Sequence, residues 1–315
     1  MEAIRHGDRS ALARLLSIVE RGGDDARQVS RAVRGLGRGS FTLGVTGSPG
    51  AGKSTLVSAL VSVIRARDER VAVLAIDPTS PFSGGAILGD RVRMGEHALD
   101  DGVFIRSMAT RGHLGGLAVA APEAARVLAV AGYDWVILET VGVGQVEVEV
   151  VGQSDTTLVV VNPGWGDAVQ ANKAGLMEIA DVFVVNKADR PGADETARDL
   201  ERMLTMARRQ PAGDAAEASP WCPPILRTTA TSGDGASDVW QAVLDHRAHM
   251  ERTGELVVRR QRRAADEVTR VVAARLFERA RAVTRSPRSR ELAEAVAAGE
   301  LDPWAAADEL LATDT

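Results

Sequence analysis

The sequence predicts an α/β protein built on a doubly wound, mostly parallel sheet with helical extensions at both ends. Three observations lead there. Short runs rich in Val, Ile and Leu recur at 41–47, 71–77, 103–108, 135–140, 156–162 and 182–187. They are apolar nearly throughout, as suits parallel strands buried on both faces. Helical stretches, among them 53–67, 116–131 and 168–179, separate most of them and set a β-α-β-α order.

Taken in order, residues 2–22 place Ile4, Leu12, Leu15, Leu16 and Val19 near helical spacing and stop at Gly22-Gly23. A second short helix is predicted over 24–37. The six apolar runs follow. "PAGDAAEASPWCPP" (211–224) reads as a surface loop, and "PILRTTAT" (224–231) as the last strand. From about 236 to 312 the pattern is helical. The long charged stretch at 247–285, which includes "RRQRR", reads as a solvated helix face. The expected domains are a helical extension over 1–38, a nucleotide domain over 39–245 and a helical arm over 246–315.

Bulk properties exclude several classes. The 315 residues carry a net charge of −5, so no global basic field points to nucleic acid. One cysteine, Cys222, rules out an internal disulfide framework and fits a reducing compartment. No stretch approaches the roughly 18–20 apolar residues that span a bilayer. The opening "MEAIRHGDRS" has no apolar signal core, so a cytoplasmic protein with no membrane partner is expected.

"GSPGAGKST" (47–55) follows the first predicted strand and opens a helix, matching G-x-x-x-x-G-K-[ST] in full. Glycines let successive N–H groups turn inward around phosphate oxygens, and the helix N-terminus adds its dipole. Gly47, Ser48, Gly50, Ala51, Gly52, Lys53, Ser54 and Thr55 thus form the phosphate site of a P-loop NTPase. Lys53 supplies charge at the β- and γ-phosphates, and Ser54 offers a hydroxyl to Mg²⁺.

"VVNKAD" (184–189) ends another buried run with Asn186-Lys187-x-Asp189. A carboxylate there can accept from N1–H and the 2-amino group of guanine, whereas adenine would set a lone pair against it. GTP and GDP are therefore the expected nucleotides. Lys187 packs its stem along the nucleotide. In "TTATSGDG" (228–235), Thr229 and Ala230 stand where a backbone N–H could serve the guanine carbonyl.

Three acids complete this reading. Asp77 ends a run in "AIDPTS", Asp90 lies in "GDRVRM" and Glu139 opens "ETVGVGQ"; each is a direct or water-mediated Mg²⁺ partner. Gly142 can donate its N–H to the γ-phosphate, which makes the following segment nucleotide-sensitive. Small signalling GTPases place a water-orienting Gln directly after that glycine. Here the position is Val143, and Gln145 lies two residues on, so slow intrinsic hydrolysis is expected.

With "ETVGVGQVE", "GDRVRM" and "GLMEIADVFVVNKAD" in order and spacing, the chain resembles the MeaB/ArgK family of P-loop GTPases along nearly its whole length. The resemblance implies a chaperone of an adenosylcobalamin-dependent acyl-CoA mutase, chiefly methylmalonyl-CoA mutase, working as a homodimer through its C-terminal arm. It implies Mg²⁺ ligation by Ser54 with Asp77, Asp90 and Glu139 around the ion, and it places Arg93 in the first switch. It also implies a third switch over 164–175, with Asp167, Gln170 and Lys173 at the responsive positions. The family more often has Gly-Ile-Lys-Lys where this chain has Ala171-Asn172-Lys173-Ala174, and Trp165 is a bulky addition. The competing expectation is a protein kinase acting on a transport component, an activity attached to ArgK-type names; no His-Arg-Asp-like catalytic loop accompanies it.

Overall fold

The computed structural model describes residues 1–36, 39–77, 95–97, 99–109, 116–140, 152–164, 178–208 and 221–312. The predicted strands form as β1 (Phe41–Gly47), β2 (Val71–Asp77), β3 (Val103–Ala109), β4 (Trp135–Thr140), β5 (Thr156–Val161), β6 (Val182–Asn186) and β7 (Ile225–Thr228). They make one seven-stranded sheet in the order β3-β2-β4-β1-β5-β6-β7. Every pairing is parallel.

Alternation along the strands divides the core. Val71, Val73, Leu43, Val45, Ile137, Leu158, Val160, Val182 and Val184 point to one face. There they bury against Leu56, Leu60 and Ile64 of the helix Lys53–Arg65, and against Val239, Trp240 and Val243 of Ala236–Thr253. On the other face, Ala72, Leu74, Val136 and Leu138 meet Ala121, Ala124 and Leu128 of Gly116–Val130 and the N-terminal helices. Val159, Val161, Phe183 and Val185 meet Ala197 and Leu200 of Ala193–Arg208. That last helix had no place in the sequence reading, although Ala197, Leu200, Met203 and Leu204 carry helical spacing behind Asp194 and Glu195.

The expected helix over 2–22 divides into Glu2–Arg5 and Arg9–Arg21. Asp8 is the reason: its carboxylate accepts from the Ala11 N–H at 2.8 Å and caps a new helix, directly after Gly7 at φ +85°. A further helix spans Gly23–Val33. The N-terminal helices are also fastened by polar contacts. Arg106 of β3 reaches the Ala13 carbonyl, Ser17 Oγ and Glu20.

One compact unit runs from Met1 to Arg263, past the boundary at 245 that the sequence suggested. Two features extend it. Trp240, Val243, His246 and Met250 of Ala236–Thr253 are buried. Of the basic run at 259–263, Arg259, Arg260 and Arg263 are half-buried and reach the starts of β5 and β6, while Gln261 and Arg262 stay exposed. Asp155, at the start of β5, is 1% exposed and accepts from the Thr42 N–H, Arg260 and Arg263. Asp181, at the start of β6, accepts from Arg259 at 2.8 and 3.0 Å. Burial alone would raise the Asp155 carboxyl, but the Arg260 hydrogen bond and the Arg263 and Arg260 charges outweigh it and hold it below its ordinary value.

The second unit, Ala264–Thr315, contains the outer part of the helix Glu255–Thr284 and the helices Pro287–Ala297 and Pro303–Ala312. Ser286 caps the first of these short helices by accepting from the Ser289 N–H. Arg288 pairs with Glu291 of that helix and with Glu309 of the next. Among the described residues no helix is long and apolar enough to cross a membrane.

Candidate functional site

The site lies where α/β sheets hold ligands, at the carboxyl ends of the strands. β1 ends in Gly47, paired in register with Val160 of β5. At Gly47, φ is +135°, and a Cβ there would sit 1.9 Å from the Val160 carbonyl oxygen. At Gly52, φ is +92°, and a Cβ would stand 2.3 Å from Asn186 Nδ2. Glycine is demanded at both places, once by strand β5 and once by Asn186. The loop turns through Ser48 and Gly50, the Ala51 N–H donates to the Ser48 carbonyl at 3.2 Å, and the helix begins at Lys53.

These glycines give a prediction. Gly50 also has positive φ, +72°, yet a Cβ there meets nothing within 4 Å. Gly50→Ala should cost only backbone strain, about 1–3 kcal/mol. Gly47→Ala adds an unavoidable overlap with backbone and should weaken GTP binding much further. Titration of both variants checks the order; equal losses would mean the β5 contact does not shape the loop.

Lys53 and Ser54 are both buried. Lys53 Nζ donates to the Gly47 carbonyl at 2.9 Å and the Ser48 carbonyl at 3.2 Å, which holds the ammonium along the loop. Ser54 Oγ donates to Glu139 Oε1 at 2.5 Å. Glu139, the last residue but one of β4, lies beside Val45 of β1 and is 1% exposed. A hydroxyl that gives its proton to a carboxylate keeps its lone pairs for a cation. The two side chains together form a pair of hard oxygen donors, the chemistry Mg²⁺ selects while keeping several waters.

The guanine motif is joined to the same loop. Asn186 Nδ2 donates to the Ala51 carbonyl at 2.7 Å, and Lys187 Nζ to the Gly50 carbonyl at 2.7 Å. Lys187 takes φ +60°, the sharp turn that ends β6. Asp189 stands exposed just beyond it. Asn186 Oδ1 accepts from Thr228 Oγ1 at 3.0 Å and from the Ala230 N–H at 3.1 Å. The Ala230 N–H, expected to serve the base, here donates to the buried Asn186 carboxamide oxygen, which needs donors. Thr229 turns the loop through its bridge to Asp234.

The structure brings together Gly47, Ser48, Gly50, Ala51, Gly52, Lys53, Ser54, Glu139, Asn186 and Lys187. Thr55 follows Ser54 in the helix, half-buried. Asp77 closes β2, but its carboxylate lies outside the described residues, as do Asp90, Arg93, Gly142, Val143, Gln145 and the stretch 165–177 with Trp165, Asp167, Gln170 and Lys173. Two contributors escaped the sequence reading. Thr228 supports Asn186, and Asn162, just past β5, accepts from Ser48 Oγ at 3.2 Å. Asn162 ends an apolar run at the ligand end of the sheet, and that position was its signal.

A parallel sheet whose central strand feeds a glycine loop and helix, with Asn-Lys-x-Asp reaching back to that loop, defines a P-loop nucleoside triphosphatase of the guanine-specific class. The chain belongs to the MeaB family: the family model described as Methylmalonyl Co-A mutase-associated GTPase MeaB matches residues 12–285. A Pyrococcus abyssi relative, provisionally named a GTPase, is 45% identical over 99% of this chain and 94% of its own. GTPase ArgK of Escherichia coli is 38% identical over 84% of this chain and 80% of its own. The mouse mitochondrial methylmalonic aciduria type A homolog is 32% identical over 81% of this chain and 64% of its own. A crystal structure described as a LAO/AO transport system kinase superposes with a TM-score of 0.70 at 25% identity, over 99% of this chain and 95% of the other. The protein is a GTPase, and its nucleotide is a guanine nucleotide.

Proposed function

We propose that this GTPase is a chaperone that gates the loading or protection of adenosylcobalamin on a partner acyl-CoA mutase, most directly methylmalonyl-CoA mutase. The observation that carries the reading is the Ser54–Glu139 contact, on a chain whose family is named for association with that mutase. Gly142 follows Glu139 by three positions in the sequence, so the proposed switch segment comes directly after the strand that carries Glu139. Ser54 and Glu139, with Asp77 and Asp90, would hold Mg²⁺, which neutralises charge developing on the phosphate oxygens. Lys53 adds a fixed positive charge on the same oxygens, and Arg93 and Gly142 complete the catalytic set. Asp189 reads the base.

The third switch, with Asp167, Gln170 and Lys173, is the coupling element to the mutase. Val143 leaves water poorly oriented, so turnover is slow until the partner completes the site. A homodimer forms through the C-terminal arm. Val268, Val272, Leu276 and Phe277 lie exposed along one helix there, at the spacing of a helix-helix seam. The charge balance, the single cysteine and the mutase partner favour the cytoplasm, with no nucleic-acid or membrane partner.

Gln170→Ala and Lys173→Ala test the coupling. Both should keep near-normal GTP binding and basal turnover but lose most of the mutase-stimulated rate, as when an interaction made mainly in the transition state is removed. Hydrolysis measured with and without the mutase decides; full stimulation in both variants would refute the coupling role. Kinase activity is the second reading, suggested by the name of the similar solved structure. Labelled GTP separates the two, since a GTPase releases free phosphate and a kinase labels a protein acceptor.

A further inference from the structure

We propose that Asn162 is a positioning residue that ties the phosphate loop to the chain leaving β5. Its carboxamide is used on both sides. Oδ1 accepts from Ser48 Oγ at 3.2 Å, and Nδ2 donates to the Pro163 carbonyl at 3.2 Å. One planar group therefore spans from the second residue of the loop to the first turn after the strand.

Ser48 is where the phosphate side and this bridge meet. Its carbonyl accepts from Lys53 Nζ and from the Ala51 N–H, while its hydroxyl goes to Asn162. Directly beneath, Gly47 is locked to the Val160 backbone with no room for a side chain. The loop and the end of β5 are thus joined by a side-chain hydrogen bond and a close backbone approach. Whatever shifts Lys53 or the Ser48 carbonyl when the terminal phosphate changes reaches Asn162 within two hydrogen bonds. Beyond it stand Pro163, with its fixed φ, and Gly164 at +83°, the two residues that link Asn162 to position 165 in the chain. The inference rests on the reading of 164–175 as a nucleotide-responsive element, and gives it a physical connection to the nucleotide.

The chemistry requires an amide. Aspartate at 162 would face the Pro163 carbonyl with a second acceptor and bring negative charge toward the phosphates; alanine would sever both links. Hydrogen exchange of peptides covering 163–177, compared between GDP and a non-hydrolysable GTP analogue on the full-length protein, tests this. The wild type should show a nucleotide-dependent difference. Asn162→Ala should lose more than about half of it while nucleotide affinity stays within about threefold, because coupling energy and binding energy are separate quantities. Ser48→Ala should remove the same difference, and the double variant should add nothing to it.

An undiminished difference in Asn162→Ala would overturn the proposal. So would a loss of affinity beyond about tenfold, which would make Asn162 a nucleotide contact instead. If the wild type itself shows no difference, the switch reading of 164–175 fails, and the proposal fails with it. Asn162→Asp adds a control: it should abolish the difference although the acceptor oxygen for Ser48 is kept.

Discussion

Asp189→Asn should exchange GTP for xanthosine triphosphate as the preferred nucleotide. The substitution replaces two carboxylate oxygens with one acceptor and one donor. Guanine offers two donors on that edge; xanthine carries a carbonyl where guanine carries its 2-amino group, so the new amide matches it. A hydrogen bond to a charged group contributes about 1.5–3 kcal/mol, and losing one for GTP while gaining a match for the xanthine base gives a swing of roughly 3–6 kcal/mol. That corresponds to about 10²–10⁴ in relative affinity. Asp189 stands exposed beyond the β6 turn, and Asn186 and Lys187, which tie that turn to the phosphate loop, are untouched by the change. Titration of both nucleotides reads the outcome. Undiminished GTP affinity in the variant would remove Asp189 from the base site.

Asp155→Ala should destabilise the protein by about 3–5 kcal/mol, the cost of leaving a buried ion-pair partner uncompensated. Asp155 receives Arg260 and Arg263 and caps the Thr42 N–H at the start of β1. Arg263 is 17% exposed, so its charge would be stranded at the amino ends of the central strands β1 and β5. Arg260→Ala should cost less, since Arg260 is 39% exposed and Asp155 would keep Arg263. Because the folded Asp155 carboxyl sits below the ordinary value of 3.8, its stabilisation is complete above that pH. It is lost as pH falls through the lowered folded value. Denaturant unfolding at neutral pH and under acid, for the wild type and Asp155→Ala, checks both size and sign. Matching stabilities at neutral pH would contradict the clamp.

The strands were legible because a parallel sheet covered on both faces writes itself as near-continuous runs of Val, Ile and Leu. The phosphate loop and Asn186-Lys187 were legible because phosphate and guanine chemistry fix residue types at fixed spacing. Other features depend on partners far away in sequence. "RRQRR" looks like a solvated run until Asp155 and Asp181, about a hundred and about eighty residues earlier, are brought beneath it. Asn162 is one polar residue closing an apolar run, and only the parallel pairing of β1 with β5 sets it beside Ser48. The break at Gly7-Asp8 was readable in principle, since Asp followed by a helical pattern is a cap signal, but Ile4 kept the apolar spacing and hid it. Ala230 illustrates a different difficulty. In sequence its N–H reads only as a donor for the base, and its bond to the buried Asn186 carboxamide, 44 residues away, has no local signal.

Steady-state GTP hydrolysis by the wild-type protein, alone and with methylmalonyl-CoA mutase, tests the central claim most directly. The account predicts slow release of phosphate by the isolated protein and a clear acceleration by the mutase, retained with adenosylcobalamin present and abolished in Lys53→Ala. A basal rate that no adenosylcobalamin-dependent acyl-CoA mutase changes would contradict it.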